Sequence, residues 1–359
     1  MWVFYILIFL PLAIQFMKTR GQKINAEKTS STAIGIFFLF LTVLVMFRHE
    51  SVGNDTKNYI FYFNSYSKMS WDRILDESRE LGYLYFNKLV SLITTKPQVF
   101  LSMAAILVNL MIYPVYKRLC VDPALTIALF CTMSTFTMMF SGIRQMLAIA
   151  LGFVAYEFVR KKKFILFVFV VGFAMLFHVS AFILVLMYPV YHFRVTKIRL
   201  LVLIPMLGLL LVFNEPIFVF LSGYLEKYTR FEAEVTSTGA YTMLILFAIL
   251  VVFSFVIPDE KAMDDETLGV RNFLIVSLAL QMFAPLHALA MRMNYYYIIF
   301  IPLLIPKILQ YRKRDFMEVA ILSRTVMIIF FIGYFFYSAY TSDNNLNVFP
   351  YHFYWESAI

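Results

Sequence analysis

The chain has 359 residues, of which 61% are hydrophobic and 15% charged, with a formal net charge of +9. So few charges, at a mean hydropathy of +0.76, exclude an ordinary soluble domain, a disordered segment and a nucleic-acid reader. What remains is an all-α polytopic membrane protein, whose basic residues border the spans and set their orientation rather than recruit an acidic partner. The cysteines, Cys120 and Cys131, are too few for a closed zinc site and lie near or within apolar segments, so neither a disulfide nor a metal site is expected.

A helix crosses the hydrocarbon core with ~20 apolar residues. In chain order such segments are 2–17, 31–48, 98–116, 123–141, 143–159, 200–214, 240–257, 272–290, 293–309 and 320–341. The first lacks a basic leader and a small-residue cleavage site, and reads as a retained span. Residues 164–193 fit less simply. As one helix they measure ~45 Å against a core of ~30 Å, and His178 and Ser180 interrupt them near the middle.

Charge helps decide how that segment runs. Lys18, Arg20, Lys23 and Lys28, then Lys117 and Arg118, then Arg160 to Lys163, then Lys307 and Arg312 to Arg314 share one side if the N-terminus is outside. Arg194, Lys197 and Arg199 join them only if 164–193 enters and returns as a re-entrant or broken helical hairpin, with His178 near its tip. The alternative is one long tilted helix with three basic residues on the wrong side. The expectation is therefore about ten transmembrane helices plus the hairpin, both termini outside, and an outer-face cavity. One multi-span domain occupies 1–342, with outer loops at about 49–97 and 215–239 and a short outer tail at 343–359. Within the first loop, 82–94 is too short to span and reads as an interfacial helix.

Ionisable groups at membrane depth are expensive and usually face a cavity. Four fall on the outer side in this topology: Asp55, Arg144, His178 and Arg292. Arg144, in SGIRQM, sits at a tight junction of two spans, where a guanidinium can fork onto two phosphate oxygens and cannot lose its charge. Gln145 is a second polar ligand beside it, or merely interfacial. Arg292, in HALAMRMNYYY, has Tyr295 and Tyr296 at i+3 and i+4, a cation among phenols suited to an anionic ligand. For both arginines the competing reading is a side chain snorkelling to the headgroups.

His178, in AMLFHVSAF, is flanked by apolar residues, and a neutral imidazole there can accept a proton. A packing histidine is the competing reading. On a regular helix Ser180 at i+2 points elsewhere, so no Ser–His pair is implied. Asp55 opens NDTKNYIFYFNSY, with Tyr59 at i+4 and Tyr62 and Tyr66 roughly continuing its face. A carboxylate with a row of tyrosines suits a sugar, whose hydroxyls bond the acid while its apolar face stacks on rings; an amphipathic interfacial helix explains the same pattern. No P-loop, no Gly-rich dinucleotide motif and no metal-binding cluster occurs.

The segments GNDTKNYIFYF, SGIRQMLAIAL, RKKKFILFVFVVGFAMLFHVSAFIL and RMNYYYIIFIPLLIP, taken together, resemble the EpsG-like family of Wzy-type bacterial polysaccharide polymerases. The resemblance runs over roughly residues 1–340, and Arg144-Gln145, a basic turn and His178-x-Ser180 are its most specific part. It implies a metal-independent glycosyltransferase of the bacterial plasma (inner) membrane, without cofactor, joining polyprenyl-diphosphate-linked oligosaccharide units. Arg144 and Arg292 would then stabilise the leaving diphosphate, with His178 the first choice for the base and Asp55 the second. Gln145, Tyr59, Tyr62, Tyr295, Tyr296 and Ser180 would bind substrate. Implied partners are the lipid-linked substrates, the bilayer, and chain-length and export proteins of the pathway. A lipid-linked oligosaccharide flippase and a polytopic O-acyltransferase are the alternatives.

Overall fold

A computed structural model describes residues 1–19, 26–75, 77, 80–223, 238–341 and 346–356. Among these the chain is helical, with no strand beyond two isolated bridges, Arg48 to Phe353 and Pro258 to Arg312. Its contacts divide it into two compact units, residues 1–182 with 321–359, and residues 183–320.

In the first unit Pro97–Leu119 packs on Ala26–Met46 and on Ile143–Arg160, and Phe164–Met175 packs on Ile143–Arg160. Phe4 anchors an aromatic core, with edge-on contacts to Phe136, Phe140, Phe335 and Phe349. The segment expected to run straight over 123–141 does not. Pro123–Thr132 and Ser134–Ser141 meet at 64°, because Met133 is extended and interrupts the helix between two hydroxyl-bearing residues.

The tail is part of this fold. Gly53 and Asn54 donate backbone hydrogen bonds to Asn347 and Leu346, and the Tyr351 hydroxyl donates to the Leu44 carbonyl at 2.8 Å. The expected outer loop 49–97 is largely helical, as Thr56–Lys68, Trp71–Leu75 and Leu81–Ser91. The last of these is the short helix expected at 82–94.

The second unit is built around Asp265–Gln281, whose N-terminus is capped by the Asp264 carboxylate. Ala288–Ile298, Thr238–Val256 and Met187–His192 pack against it. Asn294 donates to the Ser277 carbonyl and to Gln281, and Gln281 to the Ala240 carbonyl, so two side-chain amides tie three apolar helices together. The expected span 293–309 is broken at Ile299 and Phe300, between Ala288–Ile298 and Ile301–Gln310. The loop expected at 215–239 begins instead as helix Asn214–Gly223, bent by 70° from Lys197–Val212; residues 224–237 lie outside the described chain.

Among the described residues two helices are long and apolar enough to cross a membrane alone, Pro97–Leu119 and Arg314–Thr341, and each of the two bent pairs makes a further candidate. Lys197–Val212 buries none of its side chains although Leu, Val and Ile dominate it. Such a surface is stable against lipid and costly against water.

Candidate functional site

The first unit gathers a polar cluster around Arg144. Gly142, with φ −102° and ψ 68°, separates Ser134–Ser141 from Ile143–Arg160 and leaves Arg144 in the first turn of an 18-residue helix. That turn contains no acidic side chain, so the amide end and the guanidinium present positive charge together.

Three groups from the 49–97 segment meet it. Glu80 Oε2 accepts from Arg144 Nη1 at 2.5 Å. The Tyr59 hydroxyl is hydrogen-bonded to the guanidinium, and the Tyr83 ring lies 5.6 Å from it in cation–π geometry. The two rings contact each other edge-on at 5.7 Å. Burial pushes the Tyr59 phenol above its ordinary value while Arg144 pulls it down, and burial likewise raises Tyr83. Both phenols therefore stay neutral.

Helix Thr56–Lys68 is held there by its N-terminal loop. Gly53 has φ +89°, and a Cβ at that position would stand 2.3 Å from the Phe140 carbonyl oxygen. Only glycine allows so close an approach. The Asp55 amide donates to Ser141 Oγ at 3.4 Å, and Thr56 Oγ1 donates to the carbonyls of Val52 and Phe140. The Asp55 carboxylate is exposed and caps nothing. Asp55 and Tyr59 are thus brought to the Arg144 junction. The tyrosines do not form an open stacking row, however: Tyr59 and Tyr66 turn inward, and half-buried Tyr62 stacks on Tyr66 at 5.9 Å.

His178 lies at a break. Phe164–Met175 ends in a tightened turn, and an eight-residue 3-10 helix, Val179–Leu186, follows. Runs of that length are uncommon and mark strained or functional segments. The break overturns the expectation that Ser180 points away: Ser180 Oγ lies 2.7 Å from His178 Nδ1, and the Ser180 amide donates to the same nitrogen at 3.3 Å. Since Nδ1 accepts, the neutral ring carries its proton on Nε2. The turn is tied to the Arg144 cluster through Gly82, two residues after Glu80. The Gly82 amide donates to the Leu176 carbonyl at 2.8 Å, and a Cβ on Gly82 would meet that carbonyl at 2.8 Å.

Gln145 is buried beside Arg144, and Ser180 is buried against His178. Arg292 belongs to the second unit, where it is exposed; Tyr295 is close enough to interact with its charge, and Tyr296 is buried in the core.

Glu80, Tyr83 and Arg48 escaped the sequence reading. Glu80 pairs with Arg144 across 64 positions, a separation that no local pattern reports. Arg48 is wholly buried, donating from Nη1 to the Val45 carbonyl at the end of Ala26–Met46 and from Nε to Thr56 Oγ1 at 3.3 Å. A signal existed for it: in the expected topology Arg48 ends its span on the outer side, against the charge rule. Among the described residues no three His, Cys, Asp or Glu side chains converge as metal ligands.

Apolar helices with unburied faces, and a half-buried charged cluster at a helix junction, mark a membrane protein. The chain belongs to the EpsG family, whose model matches residues 32–353. EpsG-like proteins are Wzy-type polymerases, and membership gives this chain a polysaccharide-polymerase type of role. No curated protein and no solved structure matches it.

Proposed function

We propose that the protein joins polyprenyl-diphosphate-linked oligosaccharide repeat units into a surface polysaccharide on the outer face of the bacterial plasma membrane. The observation that carries this reading is Arg144, set in a helix first turn and held by a carboxylate and two phenols, in a chain of this family. A guanidinium placed there stabilises charge that develops on a leaving diphosphate.

In the reaction the acceptor hydroxyl oxygen attacks the donor's anomeric carbon and loses its proton to a base. The bond from that carbon to the diphosphate oxygen breaks, and polyprenyl diphosphate leaves with the electron pair. We assign the proton to Asp55, whose exposed carboxylate precedes Tyr59 by one turn. His178, whose Nδ1 accepts from the Ser180 amide, is assigned instead as a donor from Nε2 to an anionic oxygen. Gln145, Ser180 and Tyr62 are assigned to positioning in the first unit. In the second unit Arg292 with Tyr295 is assigned to an anionic part of the lipid-linked substrate, while Tyr296, buried in the core, is not. No step calls for a metal or cofactor. Chain-length and export proteins of the same pathway are the proposed partners.

The proposed topology keeps ten crossings with both termini outside, and treats 164–193 as a hairpin. Two local facts support the hairpin. Leu176 is bonded by Gly82, from the loop read as outer. Val190, Phe193 and Val195 accept from Asn272 and Arg271, close after the 258–264 segment, which itself bonds to 311–313 in the stretch read as inner.

Deleting the gene and sorting the accumulated single-unit glycolipid by leaflet tests the function. Outer-leaflet accumulation is expected. Inner-leaflet accumulation would indicate a flippase, and full-length polysaccharide lacking acyl groups would indicate an O-acyltransferase; either result overturns the polymerase reading.

A further inference from the structure

We propose that Glu80 stands in for the donor's diphosphate on Arg144, and that substrate binding exchanges one anion for the other; this rests on the reading of Arg144 above. The helix that begins at Ile143 supplies no acid in its own first turn, so its positive end and the guanidinium both require an anion from elsewhere. Glu80 is that anion.

Its carboxylate serves no local purpose. Glu80 is the N-cap residue of Leu81–Ser91, yet its side chain makes no capping bond, where an acid at an N-cap ordinarily accepts from the first-turn amides. The acid is committed to Arg144 instead. The pair is also reachable: the Arg144 side chain is 27% exposed and that of Glu80 19%, whereas the buried Arg48 is 0% exposed.

The rest of the Arg144 setting does not depend on Glu80. The Tyr59 hydroxyl and the Tyr83 ring keep the guanidinium in place when the carboxylate leaves. A phosphoryl group offers the same planar fork two oxygens, with more charge than a carboxylate. The exchange therefore favours a diphosphate over a singly charged phosphodiester headgroup such as a membrane lipid carries. Glu80 keeps Arg144 neutralised against such headgroups until the donor arrives.

The test is calorimetric binding to the full chain in detergent micelles, with undecaprenyl diphosphate as one probe and phosphatidylglycerol as the other. Glu80→Gln is expected to bind the diphosphate about tenfold tighter than the unaltered chain, and to gain affinity for phosphatidylglycerol as well. Arg144→Ala, alone or with Glu80→Gln, is expected to abolish diphosphate binding. If Glu80→Gln binds the diphosphate no tighter while Arg144→Ala still abolishes binding, the stand-in role falls and the reading of Arg144 survives. If Arg144→Ala leaves diphosphate binding unchanged, that reading fails and this proposal falls with it. Should Glu80→Gln not fold, Glu80→Asp retracts the carboxylate by one methylene, and must shift binding in the same direction.

Discussion

Arg144 and Arg292 look alike in the sequence: each sits in a short polar break between apolar segments, beside a glutamine or a run of tyrosines. The fold treats them differently. Arg144 is enclosed by Glu80, Tyr59 and Tyr83, all delivered by the 49–97 segment. Arg292 is exposed on Ala288–Ile298, and two of the three tyrosines that follow it, Tyr296 and Tyr297, pack in the core of the second unit, with Tyr297 bonded to the Ile183 carbonyl at 2.8 Å. Distant residues fix the fork of Arg144, whereas Arg292 stays exposed on its own helix.

The comparison can be broken most directly by removing the fork while keeping the charge. Arg144→Lys is expected to lower polymerisation by ~10²–10³-fold, the range for loss of one preorganised donor to a developing anion. Arg292→Lys should stay within about tenfold, because an exposed cation relies less on bidentate geometry. The measurement is polymer formed per inserted molecule in each variant. Equal losses would mean that the two arginines act alike.

A second test disturbs what holds the first arginine without touching it. Gly53→Ala must abandon φ +89° and separate the loop from the Phe140 carbonyl, at a cost of ~1–3 kcal/mol for the backbone strain alone. The melting temperature should fall, and activity per folded molecule with it, since Asp55 and Tyr59 ride on that loop. Gly333→Ala, inside Met317–Thr341 with nothing within 4 Å, is the control and should cost nothing, gaining up to ~1 kcal/mol from helix propensity.

The smallest effect sets the scale for an exposed ion pair in the second unit. Burial raises the Asp264 carboxyl, but hydrogen bonds from Tyr311 and the Thr267 amide, with the Lys307 charge, hold it below the ordinary value. A lowered carboxylate stabilises the fold above its unfolded pKa, and that contribution is lost as pH falls through the folded one. Asp264→Asn should therefore cost no more than ~1 kcal/mol at neutral pH. Melting curves of the two chains should converge as the solution is acidified below the carboxylate range.

Composition and apolar segment length determined the class of this protein. Sixty-one per cent hydrophobic residues and long uncharged runs leave helices in lipid as the stable arrangement. The sequence also placed Arg144 at a tight junction between apolar segments, and found a helix at 82–94 from its length and apolar content. What it left undecided depends on contacts between distant positions. Met133 bends a run that reads as uniform, because its apolar content carries no sign of the extended backbone there. Ser180 reaches His178 only because the helix gives way to a 3-10 segment, and i+2 neighbours on a regular helix diverge. Glu80, Tyr59 and Arg48 acquired their roles through pairings whose partners lie in other elements or across a loop. A guanidinium's charge belongs to its residue type, but the anion that neutralises it is chosen by whichever segment the tertiary structure brings within hydrogen-bond reach.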